Sequence, residues 1–127
     1  MPRLTARNYH DVKRGWWNNM WYDSSWELAV IVFFHDHGLE LTRNTRKFAY
    51  KWRRRTEYYQ PDFILENGHY VEIKGIMDNK AQRKLDWFPY PIEVWGAKQI
   101  KPYLEYMEKT YGKDWRETLT KPQPRST

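Results

Sequence analysis

Two short runs hold the residues best able to do chemistry in this chain. QPDFIL contains Asp62, and YVEIKG contains Glu72 and Lys74. Two carboxylates and an ammonium thus sit among apolar and aromatic neighbours. Carboxylate oxygens are hard ligands, which a cation such as Mg²⁺ takes together with carbonyl oxygens. The residues between the runs set the pairing. A three-residue loop, Glu66-Asn67-Gly68, is a type I turn closed by a left-handed residue, a conformation that Gly68 adopts without steric cost. It pairs Leu65 with His69, Phe63 with Val71 and Asp62 with Glu72. A two-residue Asn67-Gly68 turn would instead set Phe63 beside Glu72 and Asp62 beside Ile73. The three-residue loop segregates the side chains by alternation. Phe63, Leu65, Val71 and Ile73 share one face; Asp62, Ile64, Tyr70, Glu72 and Lys74 share the other. Carboxylates placed opposite each other repel. Lys74 relieves this in part, and a divalent cation relieves it fully. The backbone carbonyl of Ile73 offers a third oxygen between them. The competing role is a surface ion cluster of Asp62, Lys74 and Glu72, which is what most charge pairs are. The apolar flanks, and Gly75 directly after Lys74, suit a site open at one end and walled off from water.

The elements that must position these residues can be read outward from the hairpin. YDSSWELAVIVFFHDHG is a helix with Ser24 as N-cap, Glu27 three residues on to complete a capping box, and Gly38 as the stop. Trp26, Ala29, Val30 and Phe33 recur at helical spacing and form its core stripe. LELTRNTRKFAYKWRRRTEYYQPDFIL reads as two strands, about 39–51 and 57–65, turning within KWRRRT. Pro61 has no N–H, so the second strand is irregular there or lies at an edge. YVEIKG is the third strand. DNKAQRKLDWF is a short helix N-capped by Asp78. PIEVWG is a fourth strand, and AKQIKPYLEYMEKTYG a last helix ending at Gly112, with Pro102 limiting its start to about residue 101. The order αβββαβα predicts an α/β fold with a mixed central sheet of about four strands flanked by helices. Residues 1–22 read as a basic, aromatic N-terminal arm, 23–115 as the domain, and 116–127 as a tail in which KPQPRST has a disordered composition.

Composition narrows the partners. The 127 residues carry a net charge of +6 and a pI near 9.5, which points to a polyanion. The chain has no cysteine, so disulfides and thiolate metal sites are excluded and a reducing compartment such as the cytoplasm fits. The opening MPRLTARNYHDVKRGWW lacks the apolar run of a signal peptide, and Leu28 to Phe34 is too short to span a membrane. Aromatics form 18% of the chain, and a core of large rings accounts for most of them. His10, His35, His37 and His69 form no spaced ligand set for zinc, and no P-loop is present.

Pro61-Asp62, then ten residues on Glu72-Ile73-Lys74, resembles the PD-(D/E)XK nuclease superfamily. The setting adds to the short motif: a preceding helix bearing an acid, P-D-F-I-L, an N-G turn and V-E-I-K-G. In that detail the chain is similar to the phage junction-resolving endonuclease I group and to small phage and homing nucleases. The similarity covers roughly residues 22–95, with a weaker echo in the last helix. It implies a restriction-endonuclease-like core and cleavage of DNA phosphodiesters with Mg²⁺, for which Mn²⁺ can substitute. It implies that Asp62 and Glu72 hold the metal, Lys74 orients or activates the attacking water, and Glu27 completes the site. Glu27 is equally suited to the capping box, and the two roles partly exclude each other. Cleavage of double-stranded or branched DNA, as at a Holliday junction, is the expected activity. A small site-specific homing or nicking endonuclease is one alternative. A basic DNA-binding or phage structural protein on the same fold is the other.

Residues 43–55, RNTRKFAYKWRRR, carry seven basic residues and no acid, while the rest of the chain has fifteen basic against sixteen acidic. An edge strand kept soluble by charge is the plain role. Arginines dominate, however, and they suit bidentate phosphate contacts. Arg43, Arg46, Lys47, Lys51, Arg53, Arg54 and Arg55 are the expected DNA contacts, with Arg3, Arg7, Lys13 and Arg14 next. Resolving a junction takes two cuts, and one chain offers one site, so a homodimer is expected.

Overall fold

A computed structural model describes residues 14–120. Arg3, Arg7, Lys13 and the KPQPRST segment lie outside the described residues. The chain runs β1 (Gly15–Trp17), β2 (Met20–Tyr22), α1 (Ser25–Asp36), β3 (Leu41–Arg43), β4 (Phe48–Trp52), β5 (Arg55–Tyr59), β6 (Phe63–Leu65), β7 (Tyr70–Ile73), α2 (Asn79–Trp87), β8 (Ile92–Trp95), α3 (Ala97–Tyr111) and α4 (Trp115–Thr120). The central sheet has four strands in the order β3-β6-β7-β8. It is mixed: β3 and β7 pair antiparallel to β6, and β8 runs parallel to β7.

α1 is the central element. Residues 25–32 are buried all round, and not only along the Trp26–Phe33 stripe. An apolar helix with no polar face must be covered on every side. Ser24 Oγ caps it by accepting the Glu27 N–H at 3.2 Å. Gly38 ends it with φ +64°. The Gly38 N–H reaches the His35 carbonyl and the Leu39 N–H reaches that of Phe34, a Schellman close.

Each of the two long strands expected in 39–65 divides in two. β3 and β6 belong to the central sheet, while β4 and β5 form a separate antiparallel ribbon. The break lies at Asn44 and Pro61. Pro61 cannot donate to a ladder. Asn44 replaces the missing bonds: its Nδ2 donates to the Pro61 carbonyl at 2.8 Å and the Arg46 carbonyl at 3.0 Å. The ribbon turns at Arg53-Arg54, within KWRRRT, with Arg53 at φ +57°.

The two faces of the sheet are packed differently. Phe63, Val71 and Ile73 join α1, Ile100 and Met107 of α3, and Trp115 in the larger core. Tyr70 and Ile92 pack against Phe48, Tyr50, Tyr59 and Phe88, beneath the ribbon and α2. Rings there meet edge to face, as in Phe48–Phe88 at 5.0 Å and Tyr59–Phe88 at 5.4 Å.

Three boundaries differ from expectation. Residues 15–22 form a hairpin with Asn18 and Asn19 in the left-handed region at its turn, and Trp17, Met20 and Tyr22 pack into the larger core. The limit drawn at residue 22 therefore cuts packed structure. Trp115 is 2% exposed and starts α4, so packed chain also continues past residue 115 to 120. α3 begins at Ala97 and holds Pro102 in its interior. Fully buried Ile100, and a bond from the Gly96 N–H to Gln99 Oε1 at 3.0 Å, fix the first turn ahead of the proline. No helix among the described residues is long and apolar enough to cross a membrane.

Candidate active site

The hairpin of β6 and β7 builds the centre of the site. Its loop pairs Phe63 with Val71, and the Leu65 N–H reaches the His69 carbonyl at 2.9 Å. Gly68 takes the left-handed conformation at φ +87°. Asp62 is not the cross-strand partner of Glu72, however. The ladder ends at Phe63, and the Asp62 N–H slips to the Val71 carbonyl at 3.0 Å. The Asp62 side chain then crosses the strand end, where Oδ2 accepts the Ile73 N–H at 2.7 Å. The N–H and C=O of one strand residue point to the same side. The Ile73 carbonyl therefore faces the side on which Asp62 lies.

Glu72 is 9% exposed and points to the ribbon side, where its Oε1 accepts the Tyr59 hydroxyl at 2.8 Å. Burial pushes the Asp62 carboxyl well above the usual carboxylate range, and the charges of Glu72 and Glu27 push it further. Burial also pushes Glu72 up, against the Tyr59 hydroxyl and the Lys74 ammonium. Lys74 follows β7, anchored by its N–H to the Trp95 carbonyl at 3.1 Å.

Glu27 lies near this pair, and its bonds lead elsewhere. Its Oε1 accepts from Arg43 Nη1 and from the Asp23 N–H at 3.2 Å, so the capping box closes one residue earlier than at Ser24. Arg43 Nη2 meets Asp23 at 2.8 Å, and its guanidinium lies over the Phe63 ring at 5.0 Å. Arg43, expected on DNA, is thus half-buried and turned onto these two acids. It is on β3, beyond the break at Asn44, and does not share the ribbon's outward face.

Among the described residues no group of three or more His, Asp or Glu side chains is placed to hold a metal ion. Asp62, Glu72 and the Ile73 carbonyl are hard oxygen donors brought to one strand end, and they fit Mg²⁺ or Mn²⁺ by type. One oxygen of each carboxylate is engaged by a protein donor, which fixes the orientation of the other.

Glu72 and Lys74 open into a cavity of about 420 Å³, lined also by Lys47, Tyr58, Gln60 and Lys84. The ribbon borders it. Burial alternates along this stretch: Phe48 and Tyr50 are buried, while Lys47, Ala49 and Lys51 are exposed. The other basic residues divide. Arg46 lies over the Phe48 ring at 4.4 Å and Arg53 over Trp52 at 5.5 Å. Arg55 Nη2 is 3.4 Å from Glu57. Lys51 Nζ donates to Thr56 Oγ1 at 2.6 Å, which leaves its charge unneutralised. Arg54 is exposed at the turn.

Sequence reasoning missed Lys84, Tyr58, Tyr59 and Arg83. A signal for Lys84 was present. Ala81, Lys84 and Leu85 share the i, i+3, i+4 stripe of α2, and all three line the cavity. A lysine on the inward stripe of a short helix is unusual enough to single out. No protein-family model, curated protein or solved structure matches this chain. The likeness to the nuclease superfamily therefore rests on Pro61-Asp62, Glu72-Ile73-Lys74 and their setting.

Proposed function

We propose that this chain is a Mg²⁺-dependent DNA endonuclease with a restriction-endonuclease-like core, acting on branched or otherwise distorted DNA. The observation that supports it best is the β7 strand end. Asp62 reaches across to hold the Ile73 peptide, Glu72 is buried beside it, and Lys74 lines the cleft they open into. Bound Mg²⁺ would supply a nucleophilic water and neutralise charge on the phosphate. Asp62, Glu72 and the Ile73 carbonyl would hold it. Tyr59 fixes Glu72 for that task, and Asp62 is fixed by the peptide it accepts from. Lys74 brings a compact positive charge to the cleft beside Glu72, where negative charge develops on the phosphate oxygens. No separate specificity module occurs among the described residues, which favours recognition of DNA shape over a long sequence.

Supercoiled plasmid, linear duplex, nicked duplex and a four-way junction, incubated side by side with Mg²⁺, Mn²⁺ or EDTA, test this. Cleavage is expected with either metal, greatest on the junction, and absent in EDTA. Asp62→Asn and Glu72→Gln should each abolish cleavage and leave DNA binding intact. Lys74→Met should lower the rate by orders of magnitude. Near wild-type cutting by either carboxamide variant would remove the site assignment, and binding without cleavage on every substrate would leave a DNA-binding protein.

A further inference from the structure

The cavity beside Glu72 is lined, besides Lys74, by two lysines that the metal chemistry leaves unused. Lys47 precedes β4, Lys74 follows β7 and Lys84 lies on α2, so three separate elements deliver three ammonium groups to one space. Among the described residues none of the three has a carboxylate at ion-pair distance. Like charges drawn together and partly out of water repel. Burial, then the charge of Lys80, pushes the Lys84 ammonium down. A seated anion relieves that repulsion, and several cations along one cleft suit a chain of phosphates better than a single ion.

The second observation is Tyr58. It lines the same cavity on the outward face of the ribbon and is 58% exposed. Its partner across the ribbon is Ala49, whose methyl group leaves the ring face uncovered. Tyr59, the next residue, lines the same cavity from the core side, where its hydroxyl donates to Glu72 at 2.8 Å. An open aromatic face beside unpaired lysines is the arrangement that binds single strands: the ring stacks on a base and the cations follow the backbone. A paired duplex keeps its base faces stacked inside and offers that ring nothing.

We infer that this cleft seats an unpaired stretch of DNA next to the scissile phosphate, with Tyr58 stacking on a base and Lys47 and Lys84 contacting the flanking phosphates. The placement of the scissile phosphate rests on the nuclease reading; the single-strand site does not depend on catalysis. Among branched and distorted DNAs, it favours those that present unpaired nucleotides beside the cut.

Fluorescence anisotropy in EDTA, with a labelled oligothymidine of about 12 nucleotides and a duplex of equal length, tests the inference. Tyr58→Ala should weaken oligothymidine binding about tenfold, the scale of one base–aromatic stack, and leave duplex binding unchanged. Tyr58→Phe keeps the ring and should bind like wild type. Lys84→Gln should weaken oligothymidine binding and flatten its salt dependence by roughly 0.7 log unit, as for one lost contact to a single strand. Thermal melting checks that each variant is folded. Equal losses on both DNAs for Tyr58→Ala, or no loss on oligothymidine for either Tyr58→Ala or Lys84→Gln, would overturn the inference. A wild-type protein that binds oligothymidine in this pattern but cuts no DNA with Mg²⁺ or Mn²⁺ would support the cleft and sink the nuclease reading.

Discussion

Arg43 carries the same guanidinium as the arginines of the ribbon, yet it ends inside the molecule between Asp23 and Glu27. Glu27 is 2% exposed, so Arg43 is what makes its charge tolerable there. Burial pushes the Glu27 carboxyl up, and the Arg43 guanidinium works against it. Removing one partner of a buried pair typically costs about 3–5 kcal/mol. Arg43→Ala is expected to lose that much in urea denaturation while the salt dependence of DNA binding stays unchanged. A flattened salt dependence with little loss of stability would put Arg43 on DNA after all. Asp62 carries the opposite burden, since among the described residues no guanidinium is bonded to it. Its folded pKa is raised by burial first and by Glu72 next. The folded state therefore binds more protons than the unfolded one between the ordinary carboxylate range and the raised folded value. Within that window, stability of the metal-free protein falls as pH rises. In EDTA the melting temperature should rise as pH drops from neutrality toward about pH 5, and Asp62→Asn should flatten the profile. A wild-type melting temperature that instead falls steadily over this range would show that the carboxyls ionise in the fold without cost.

On the proposed function, the β4–β5 ribbon is the element whose placement decides how DNA is met. It is fastened to α2 by its inner side. Arg83 lies over the Trp52 ring at 4.0 Å and pairs with Glu57 at 2.8 Å, and Tyr50 stacks on Trp87 at 5.0 Å. The Tyr50 hydroxyl, then Arg83, holds the Glu57 carboxyl down at about 2. The outer side is left to solvent. The alternation that separates these sides was legible in RKFAYKW, because burial of every second residue needs only a strand and a core. The hairpin loop at Gly68 and the caps at Ser24, Asp78 and Gly38 were legible for the same local reason. What could not be read depends on partners far along the chain. Asn44 and Pro61 are seventeen residues apart, and their bond divides two strands into four. Pro102 sits within α3 because Ile100 is buried ahead of it, which helix propensity alone does not contain. The slip that turns Asp62 onto Ile73 likewise follows from the strand break and not from the turn. The sidedness of the ribbon gives an expected outcome. Lys51→Gln with Arg54→Gln should flatten the salt dependence of duplex binding by up to roughly 0.9 log unit per lost contact. Arg46→Gln with Arg53→Gln, whose guanidiniums lie on rings, should change it less. Equal effects in a salt titration would mean that DNA does not distinguish the two faces.

At the scale of the molecule, the net charge of +6 and the cleft beside Glu72 set the terms of assembly. Within residues 43–55 Arg43 is turned inward onto two acids, while Arg46 and Arg53, over rings, and Arg55, beside Glu57, stay exposed. The ribbon and the cleft it borders therefore keep exposed basic residues that a polyanion can meet. On the nuclease reading, one chain brings one Asp62–Glu72 pair to one phosphate. Cutting two strands of a branched substrate in step requires a second pair at a fixed separation, and a two-fold dimer is the simplest way to supply it. Sedimentation equilibrium should therefore give a dimer of the 15.8 kDa chain, alone or on a four-way junction. The catalytic consequence can be followed separately. Mixing wild type with excess Asp62→Asn should yield mixed dimers that nick one strand of a cruciform plasmid without linearising it. A protein that sediments as a monomer with and without DNA, and linearises the cruciform at an unchanged ratio to nicking in that mixture, would show that each chain cuts independently.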